Sequence, residues 1–411
     1  MSHVLDSISF GAIVTVRDRL LAQQAAGRRI YRLESGDPSF DTPPHVRDAI
    51  VEALKKGHTH YTASAGIQPL REAIVKKVRR DNELPIDNAE QVVVTSGGMH
   101  ALYLTFRALL DPGDEVILPD PMWTEIAENI RLGGGVPVRV AMDLESPTPW
   151  TAAQIEQHIT PRTKAIFVNT PHNPTGVVLS RSSLREIVAL AKKHDLRIIS
   201  DEAYEHVIFD GEAHVSIGSL PGAEERTISL YSTSKSYAMS GLRVGYIVAR
   251  DAAFLSRVKK LLRCTTNGVN SLAQWGAAAA VGAPQDASRM MGAVYQERRD
   301  ALLAGLAGVD LLVPYVPKGS FFLWARIQPS WRGYRGARSD EAMTDWLIDE
   351  VGVGSSPGSA FGPAGAGWIR FAFSCDTREV EEAAGLVRQV LGQAGRTSSR
   401  STGMDARPPL P

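Results

Sequence analysis

Residues 227–249, TISLYSTSKSYAMSGLRVGYIVA, contain one lysine and one arginine between two apolar, β-branched runs. Both runs, Thr227 to Tyr231 and Arg243 to Ala249, have the composition of buried strands. Lys235 lies between them among small hydroxyl residues. A buried ammonium group is costly unless a partner or a lowered pKa compensates for the lost hydration. The segment between the strands is therefore either an exposed loop or part of a functional site.

The same alternation of short apolar runs with amphipathic segments continues upstream along the chain. Strands are predicted at Gln91 to Thr95, Glu115 to Leu118, Val136 to Val140, Ala165 to Val168 and Arg197 to Ser200, in addition to the two above. Helical periodicity lies between them at Gln68 to Arg80, Met99 to Leu110 and Ser182 to His194. This pattern predicts an α/β fold with a mostly parallel seven-stranded sheet covered by helices on both faces.

The chain of 411 residues is too long for one compact core, so we expect two domains. Residues 45–284 form the predicted large domain, and residues 285–394 form a smaller α+β domain hinged near Pro284. Residues 1–44 are expected to join the small domain. The closing residues 395–411 are rich in Ser, Pro, Gly and Arg, which predicts a disordered tail.

The composition is typical of an ordinary globular protein and argues against several kinds of partner. The 45 basic and 45 acidic residues balance, so no net field attracts nucleic acid or an anionic membrane. The two cysteines, Cys264 and Cys375, have neither metal-ligand nor redox spacing, and no metal site is expected. No leader and no membrane-spanning run is recognised, so a cytoplasmic enzyme is expected.

Several polar residues follow predicted strands, where ligands bind in such sheets. Gly98 and Met99 open a helix after a strand and would present backbone N–H groups to an anion. Asn173 lies in the loop Asn169 to Gly176, Asp201 follows another strand, and Tyr204 is expected one helical turn later. Each of these residues could instead have a structural role. Glycine pairs and prolines form turns, and an aspartate often caps a helix.

Together these groups match pyridoxal phosphate. The anion-binding groups are Gly98, Met99, Ser232, Ser234 and Arg243. Lys235 would form a Schiff base with the aldehyde and then move the α-proton of the substrate. Asp201 would hold the ring nitrogen positive, while Asn173 and Tyr204 would bond the phenolic oxygen. The predicted catalytic residues are Lys235, Asp201 and Tyr204, and Trp123 could stack on the ring or simply be packed.

With these residues in these positions, the chain resembles a known family. This family is the fold-type I, class I/II pyridoxal-phosphate-dependent aminotransferases of the aspartate-aminotransferase-like group. The resemblance extends from about Glu34 to about Leu391. Its motifs are SGDPSFDTP, HYTASAGIQPLREAI, VTSGGMHAL, DPGDEVILPDPMW, NTPHNPTG, SDEAYEHVIF, STSKSYAMSGLRVGY and GWIRFAFS. Each motif alone is weak, whereas the ordered set is specific.

The resemblance implies roles that the residues alone do not. Gly36 and Arg370 would meet the substrate carboxylate, with Asn173 at the same subsite. Tyr61 would reach the cofactor phosphate of a neighbouring subunit, which implies a homodimer with active sites at the subunit interface. Without the resemblance, Arg370 is more typical of a surface ion pair and Tyr61 of a packed ring.

One position departs from the dicarboxylate-specific members of the family, in which a lysine follows the paired glycines. Here the residue is Met99, which cannot pair with a distal carboxylate. His172 is the loop residue that could compensate, although a loop histidine is more often solvated. The departure predicts a neutral, aromatic or aliphatic amino donor, with 2-oxoglutarate as the acceptor by analogy. Phe10, Ile13 and Phe361 are candidates for the pocket wall.

Three other functions compete with aminotransfer as explanations of the sequence. The same scaffold supports β-eliminating carbon–sulfur lyases and other pyridoxal-phosphate reactions, because the pocket selects the bond that breaks. A nicotinamide dehydrogenase lacks its glycine fingerprint here, since Gly97-Gly98 has no third glycine at the required offset. A non-catalytic cofactor-binding regulator is disfavoured because Lys235, Asp201 and Arg370 are all present.

Overall fold

The structure is a computed structural model that describes residues 3–6, 8 and 11–399. Phe10, a candidate wall residue, and residues 400–411, most of the predicted tail, lie outside the described residues. The last helix continues to Ser399, past the expected start of the tail at residue 395.

A seven-stranded sheet forms the centre of the larger part of the molecule. Its strands are β1 (Val92–Thr95), β2 (Glu115–Asp120), β3 (Val136–Ala141), β4 (Thr163–Asn169), β5 (Arg197–Asp201), β6 (Thr227–Ser232) and β7 (Gly245–Ala249). The spatial order is β1-β7-β6-β5-β4-β2-β3. Strand β7 is antiparallel to both β1 and β6, and the remaining pairs are parallel. The prediction of a mostly parallel seven-stranded α/β sheet is confirmed.

The helices of the described residues cover this sheet and extend beyond it. Their bounds are α1 (His3–Asp6), α2 (Ala12–Ala25), α3 (Pro44–Lys55), α4 (Gln68–Asp81), α5 (Gly97–Leu109), α6 (Thr124–Leu132), α7 (Ala152–Glu156), α8 (Arg181–Lys193), α9 (Thr233–Ser236), α10 (Ala252–Thr265), α11 (Ser271–Gly282), α12 (Asp286–Leu306), α13 (Asp340–Trp346) and α14 (Thr377–Ser399). None of them is both long and apolar enough to cross a membrane.

The apolar strands are buried on both faces because consecutive side chains point to opposite sides of a sheet. In β4, Phe167 packs into the core under α5, α6 and α10, whereas its neighbours Ile166 and Val168 pack into the core under α8. Buried residues of α4 and α11 cover the remaining part of the sheet.

The C-terminal part contains a second, antiparallel sheet. Its strands are β8 (Leu312–Tyr315), β9 (Phe322–Ile327), β10 (Ser356–Pro357) and β11 (Trp368–Ala372), in the order β10-β11-β9-β8. Helices α12 and α14 bury their apolar faces against it. The apolar runs Phe321 to Ala325 and Trp368 to Phe373 in the sequence correspond to β9 and β11, whereas the edge strands have no such signal. Helical periodicity near Glu341 to Glu350 corresponds to α13, which continues as a π-helical turn, Leu347–Val351.

The N-terminal segment is bonded to this smaller sheet. Tyr31 forms a parallel bridge with Val353, and the backbone N–H of Ala372 donates to the carbonyl of Leu33 at 2.5 Å. These bonds support the predicted grouping of residues 1–44 with the C-terminal part. The domain boundaries at residues 45 and 285 stay a prediction.

Candidate active site

A cavity of about 410 Å³ lies at the carboxyl ends of the parallel strands. Twelve of the site residues predicted from the sequence line it, namely Gly36, Gly98, Met99, Trp123, Asn173, Asp201, Tyr204, Ser232, Ser234, Lys235, Arg243 and Arg370. Ile13 of α2 also lines the cavity. Strand-end residues that are far apart in the sequence are therefore brought to one place, as the fold class predicts.

Lys235 projects into this cavity from α9, a single helical turn that begins directly after β6. The hydroxyl of Ser232 accepts the backbone N–H of Ser234 and caps this turn. The Lys235 ammonium donates to the carbonyl oxygen of Gly36 at 2.5 Å. Burial lowers the pKa of Lys235 to about 8, with Asp37 opposing the shift and the arginines nearby adding to it. An amine of this kind loses its proton more readily than a solvated lysine.

Asp201 is the last residue of β5, and its carboxylate faces the same cavity. Its Oδ1 accepts the backbone N–H of Ala203 at 3.2 Å. Burial raises the pKa of Asp201 to about 7, and the neighbouring Glu202 raises it further. The residues that follow form turns and no helix. The alternative role of Asp201 as a helix cap is therefore wrong, and so is the expectation that Tyr204 lies one helical turn on.

The candidate anion-binding cradle lies at the N-terminus of α5. Gly97 has a φ of 81°, and a Cβ at this position would lie 2.4 Å from Nη2 of Arg243. Only a glycine allows the guanidinium to approach the start of the helix this closely. Nη1 of Arg243 lies 3.5 Å from the Ser234 hydroxyl. A helix N-terminus, hydroxyl groups and a guanidinium are the donors that a phosphate group requires.

Arg370 reaches the cavity from β11 of the smaller sheet, and it is almost fully buried. Nη1 donates to Oδ1 of Asn173 at 3.1 Å, and Nη2 donates to the carbonyl of Glu34 at 2.9 Å. The guanidinium lies 4.2 Å from the ring of Phe322. Burial lowers the pKa of Arg370 to about 10. Its Nε has no hydrogen-bond partner among the described residues, so a buried donor is left for a ligand.

The remaining predicted positions have mixed outcomes. Trp123 is half-buried at the cavity, and Tyr204 is buried there, which raises the pKa of its hydroxyl. Phe361 is buried 4.8 Å from the guanidinium of Arg370 and does not line the cavity. Tyr61 is 92% exposed, so it is not a packed ring within this chain. Its contact with a neighbouring subunit stays a prediction.

His172 does not provide the positive charge that was considered for it. The side chain is buried, and its Nδ1 lies 2.7 Å from the Thr175 hydroxyl. Burial lowers the pKa of His172 to about 3, so the ring is neutral at physiological pH. It is also absent from the cavity lining. The expectation of a solvated loop histidine is therefore wrong, and His172 cannot replace the lysine that Met99 lacks.

The cavity also has charged lining residues that sequence reasoning missed: Arg17, Arg32, Glu34 and Asp37. Arg32 and Glu34 form an ion pair in which the Glu34 side chain is 1% exposed. Burial raises the pKa of Glu34, and Arg32 opposes this shift. Arg17 belongs to α2, whereas Arg32, Glu34 and Asp37 are in a turn and loop outside the named helices and strands, so no periodicity indicated that they line a cavity.

This chain is similar to known proteins along most of its length. Residues 28–387 match the family model for class I and II aminotransferases. An aspartate aminotransferase of Geobacillus stearothermophilus is 35% identical over 91% of this chain and 94% of its own length. An arginine–pyruvate transaminase of Pseudomonas aeruginosa is 38% identical over 92% of this chain and 94% of its own. An aromatic-amino-acid aminotransferase of Thermococcus litoralis is 36% identical over 90% of this chain and 93% of its own.

Solved structures are equally similar. The aspartate aminotransferase of Thermus thermophilus with maleate superposes with a TM-score of 0.88 at 34% identity, covering 95% of this chain and 99% of that one. A sheet with a lysine, a carboxylate and a phosphate cradle at one cavity defines a pyridoxal-phosphate-dependent enzyme. The chain belongs to the class I and II aminotransferases, which are pyridoxal-phosphate-dependent transaminases.

Proposed function

We propose that this enzyme transfers the amino group of a neutral or aromatic L-amino acid to a 2-oxo acid such as 2-oxoglutarate, with Lys235 as the residue that carries the cofactor. The observation that carries this proposal is the convergence of Lys235, Asp201 and Arg370 on one cavity. Asp201 ends β5 and Lys235 is in α9 after β6, both in the large sheet's part of the molecule, whereas Arg370 is in β11 of the smaller sheet. A cavity of about 410 Å³ has room for a small cofactor and an amino acid together.

The chain's own groups divide the work. Bound pyridoxal phosphate supplies the electron sink that stabilises negative charge at the substrate α-carbon. Lys235 would hold the cofactor through its aldehyde, and its free amine would move the α-proton. Asp201 would place a negative charge at the ring nitrogen. Asn173 and Tyr204 would donate to the phenolic oxygen, and Trp123 would cover the ring.

The anionic groups of cofactor and substrate take the donors at the two ends of the cavity. At one end, the phosphate would be bound by Gly98, Met99, Ser232, Ser234 and Arg243. At the other, Arg370 binds the substrate carboxylate with two parallel N–H groups, and Gly36 and Asn173 border the same subsite. The unpartnered Nε of Arg370 favours a carboxylate at this place.

A neutral donor is favoured by the residues that face the substrate side chain. Met99 and Ile13 line the cavity, and a thioether and an alkyl group accept an apolar side chain without leaving a charge unpaired. The relatives are named for aspartate, aromatic amino acids and arginine at 35%, 36% and 38% identity. Because overall identity does not separate these specificities, the lining residues of this chain decide between them.

A homodimer completes the proposed enzyme. The phenol ring of Tyr61 is 92% exposed, and Val51 and Leu54 of the preceding helix are 48% and 54% exposed. Exposed apolar side chains that cluster in sequence favour a protein interface. In the dimer, Tyr61 reaches the cofactor phosphate of the partner subunit. We place the enzyme in the cytoplasm.

A screen of amino donors with 2-oxoglutarate tests the function. The expected result is glutamate formation with neutral or aromatic donors. Ammonia or thiol release without an acceptor would instead indicate an eliminating lyase. Lys235→Ala should fold, lose the visible absorbance of the covalently bound cofactor and lose turnover by about 1,000-fold or more. The matched control is Lys260→Ala at an exposed position of α10. An active Lys235→Ala enzyme would contradict the proposal.

A further inference from the structure

The proposed function requires the cavity to accept two different substrates in turn. A neutral donor needs an apolar surface, whereas 2-oxoglutarate carries a second carboxylate that needs a cation. Neither Met99 nor the neutral, buried His172 supplies this cation. Of the cationic residues that line the cavity, Lys235, Arg243 and Arg370 already have roles at the cofactor and the α-carboxylate. Arg17 and Arg32 remain.

Arg32 is held in place while its donors are free. Its Nε donates to Oε1 of Glu34 at 2.5 Å. Its two Nη groups make no hydrogen bond within the described part of the chain, and the Arg32 side chain is 24% exposed. A guanidinium anchored through Nε presents the parallel N–H pair that binds a carboxylate in two places. Arg17 differs, because its side chain is 53% exposed and both Nε and Nη2 donate to Asp18.

Glu34 contacts both guanidinium groups. Its carbonyl oxygen accepts Nη2 of Arg370 at 2.9 Å, while its carboxylate accepts Nε of Arg32. One buried residue therefore holds both guanidinium groups. Gly354 leaves room for the Glu34 carboxylate, because a Cβ there would lie only 2.4 Å from its Oε2.

The Arg32–Glu34 pair also explains how a neutral substrate can be accepted. With no distal carboxylate present, Arg32 keeps its bond to Glu34, so no buried charge is left without a partner. With a dicarboxylic substrate, the Nη groups gain a second partner and the Nε bond is retained. A fixed lysine next to the cofactor would lack such a neutralising group.

We propose that Arg32 is a specificity-determining residue that binds the terminal carboxylate of a dicarboxylic 2-oxo acid acceptor, with Glu34 as its positioning residue. This inference rests on the proposed aminotransferase function. It assigns the distal subsite to the turn before Ser35 and not to the helix that carries Met99.

The test uses the full-length holoenzyme and two acceptors that differ by one carboxylate, 2-oxoglutarate and pyruvate. For Arg32→Gln, the ratio of kcat/KM for 2-oxoglutarate to kcat/KM for pyruvate should fall by about tenfold or more, mainly through KM. Arg32→Lys should recover part of this ratio. Because Arg32→Gln leaves Glu34 buried without a partner, the double variant Arg32→Gln/Glu34→Gln provides a second, charge-balanced measurement.

A binding measurement gives a readout that does not depend on turnover. Glutarate, which has both carboxylates and no reactive carbonyl, is titrated into the holoenzyme by calorimetry. Its affinity should fall by about tenfold in Arg32→Gln and in the double variant. Arg181→Gln, at an exposed position on α8, is the matched control and should leave the glutarate affinity and the acceptor ratio unchanged.

Three outcomes would overturn the inference. The first is an acceptor ratio and a glutarate affinity in the Arg32 variants within about twofold of wild type. The second is a larger loss in Arg17→Gln than in Arg32→Gln. The third is a wild-type enzyme that transfers amino groups to pyruvate and discriminates against 2-oxoglutarate. In that third case the proposed function stands and only the role of Arg32 fails, whereas absence of amino transfer to any acceptor would be a failure of the function itself.

Discussion

At the scale of single residues, burial in the site shifts the pKa values of three ionisable groups in the direction that favours their neutral forms. Burial moves the pKa of Lys235 down to about 8 and that of Asp201 up to about 7. The same cause lowers the pKa of Arg370 to about 10. All three face the cavity, where a bound ligand supplies the charges that solvent cannot. Burial of these groups therefore destabilises the empty site, and a bound ligand offsets that free-energy cost.

Asp201→Asn tests this relation, because it should reduce activity and increase stability. The amide keeps the shape of the side chain but cannot hold the cofactor ring positive, so kcat should fall by about 100-fold or more. The folded-state pKa of Asp201 is raised above its ordinary value of 3.8 to about 7. Wild-type stability contributed by this group is therefore lost as pH rises from about 4 to about 7.

The cofactor-free form of Asp201→Asn should consequently be more stable than wild type at pH 8, by up to about 4 kcal/mol, and no more stable at pH 4. Urea unfolding of both proteins at the two pH values measures this difference. Asp310→Asn, at an exposed position, is the control and should be neutral in both assays. Equal stability at pH 8 would mean that the Asp201 carboxylate is solvated in the free protein.

At the scale of secondary structure elements, the N-terminus of α5 is in contact with Arg243, which follows β6 and α9 in the chain. Gly97 has a φ of 81° and Arg243 a φ of 55°, so both chain segments turn through the left-handed region where they meet. The apolar run predicted that β7 begins at Arg243. Because the backbone of Arg243 is left-handed, the strand begins instead at Gly245. Backbone strain of this kind is retained where a binding site requires it.

Gly97→Ala should weaken cofactor binding more than it weakens the fold. The new Cβ would lie 2.4 Å from Nη2 of Arg243, so the guanidinium must leave the phosphate cradle. We expect the Kd for pyridoxal phosphate to rise by about tenfold or more, measured by titration of the cofactor-free protein. The fold should lose about 1–3 kcal/mol because alanine disfavours this φ.

Gly211→Ala is a matched control for this prediction. Gly211 has a φ of 73°, but a Cβ there would meet nothing within 4 Å. The backbone cost is therefore similar and the clash is absent. Cofactor affinity in Gly211→Ala should remain at the wild-type value. Equal loss of affinity in the two variants would show that general backbone strain, and not displacement of Arg243, explains the effect.

At the scale of the whole molecule, the sequence predicted the large sheet and most of the site for one physical reason. Buried parallel strands require continuous apolar runs, and ligands bind where those runs end. The edge strands β8 and β10 were missed because one is half-exposed and the other has two residues. Arg32 and Glu34 were missed because only tertiary contacts bury the turn that carries them, and that turn has no periodicity to indicate it.

A buried ion pair, Lys77 with Glu205, belongs to a network that joins separate segments of the larger part of the molecule. Lys77 of α4 is fully buried, and its ammonium donates to Glu205 and to Oδ1 of Asn82. Asn82 in turn donates to Glu205 and to the hydroxyl of Ser216. This network connects α4 with the turn that carries Tyr204 and with the loop before β6.

Lys77→Met should destabilise the whole molecule because it leaves Glu205 buried without its partner. We expect a loss of about 3–5 kcal/mol at pH 7 by urea unfolding. Lys76→Met is the matched control, since the neighbouring lysine is exposed and should cost less than about 0.5 kcal/mol. A loss as small as that of the control would show that Lys77 contributes no more than surface charge.

The same network predicts the acid limit of the fold. Although burial opposes it, the positive charge of Lys77 lowers the pKa of Glu205 from 4.5 to about 2. A depressed pKa gives stability that is fully present above pH 4.5 and is lost as pH falls toward 2. In Lys77→Met this contribution is absent, so the stability difference from wild type should shrink between pH 4.5 and pH 2. Unfolding at pH 7, 4 and 3 measures it, and a difference independent of pH would mean that Glu205 stays ionised without Lys77.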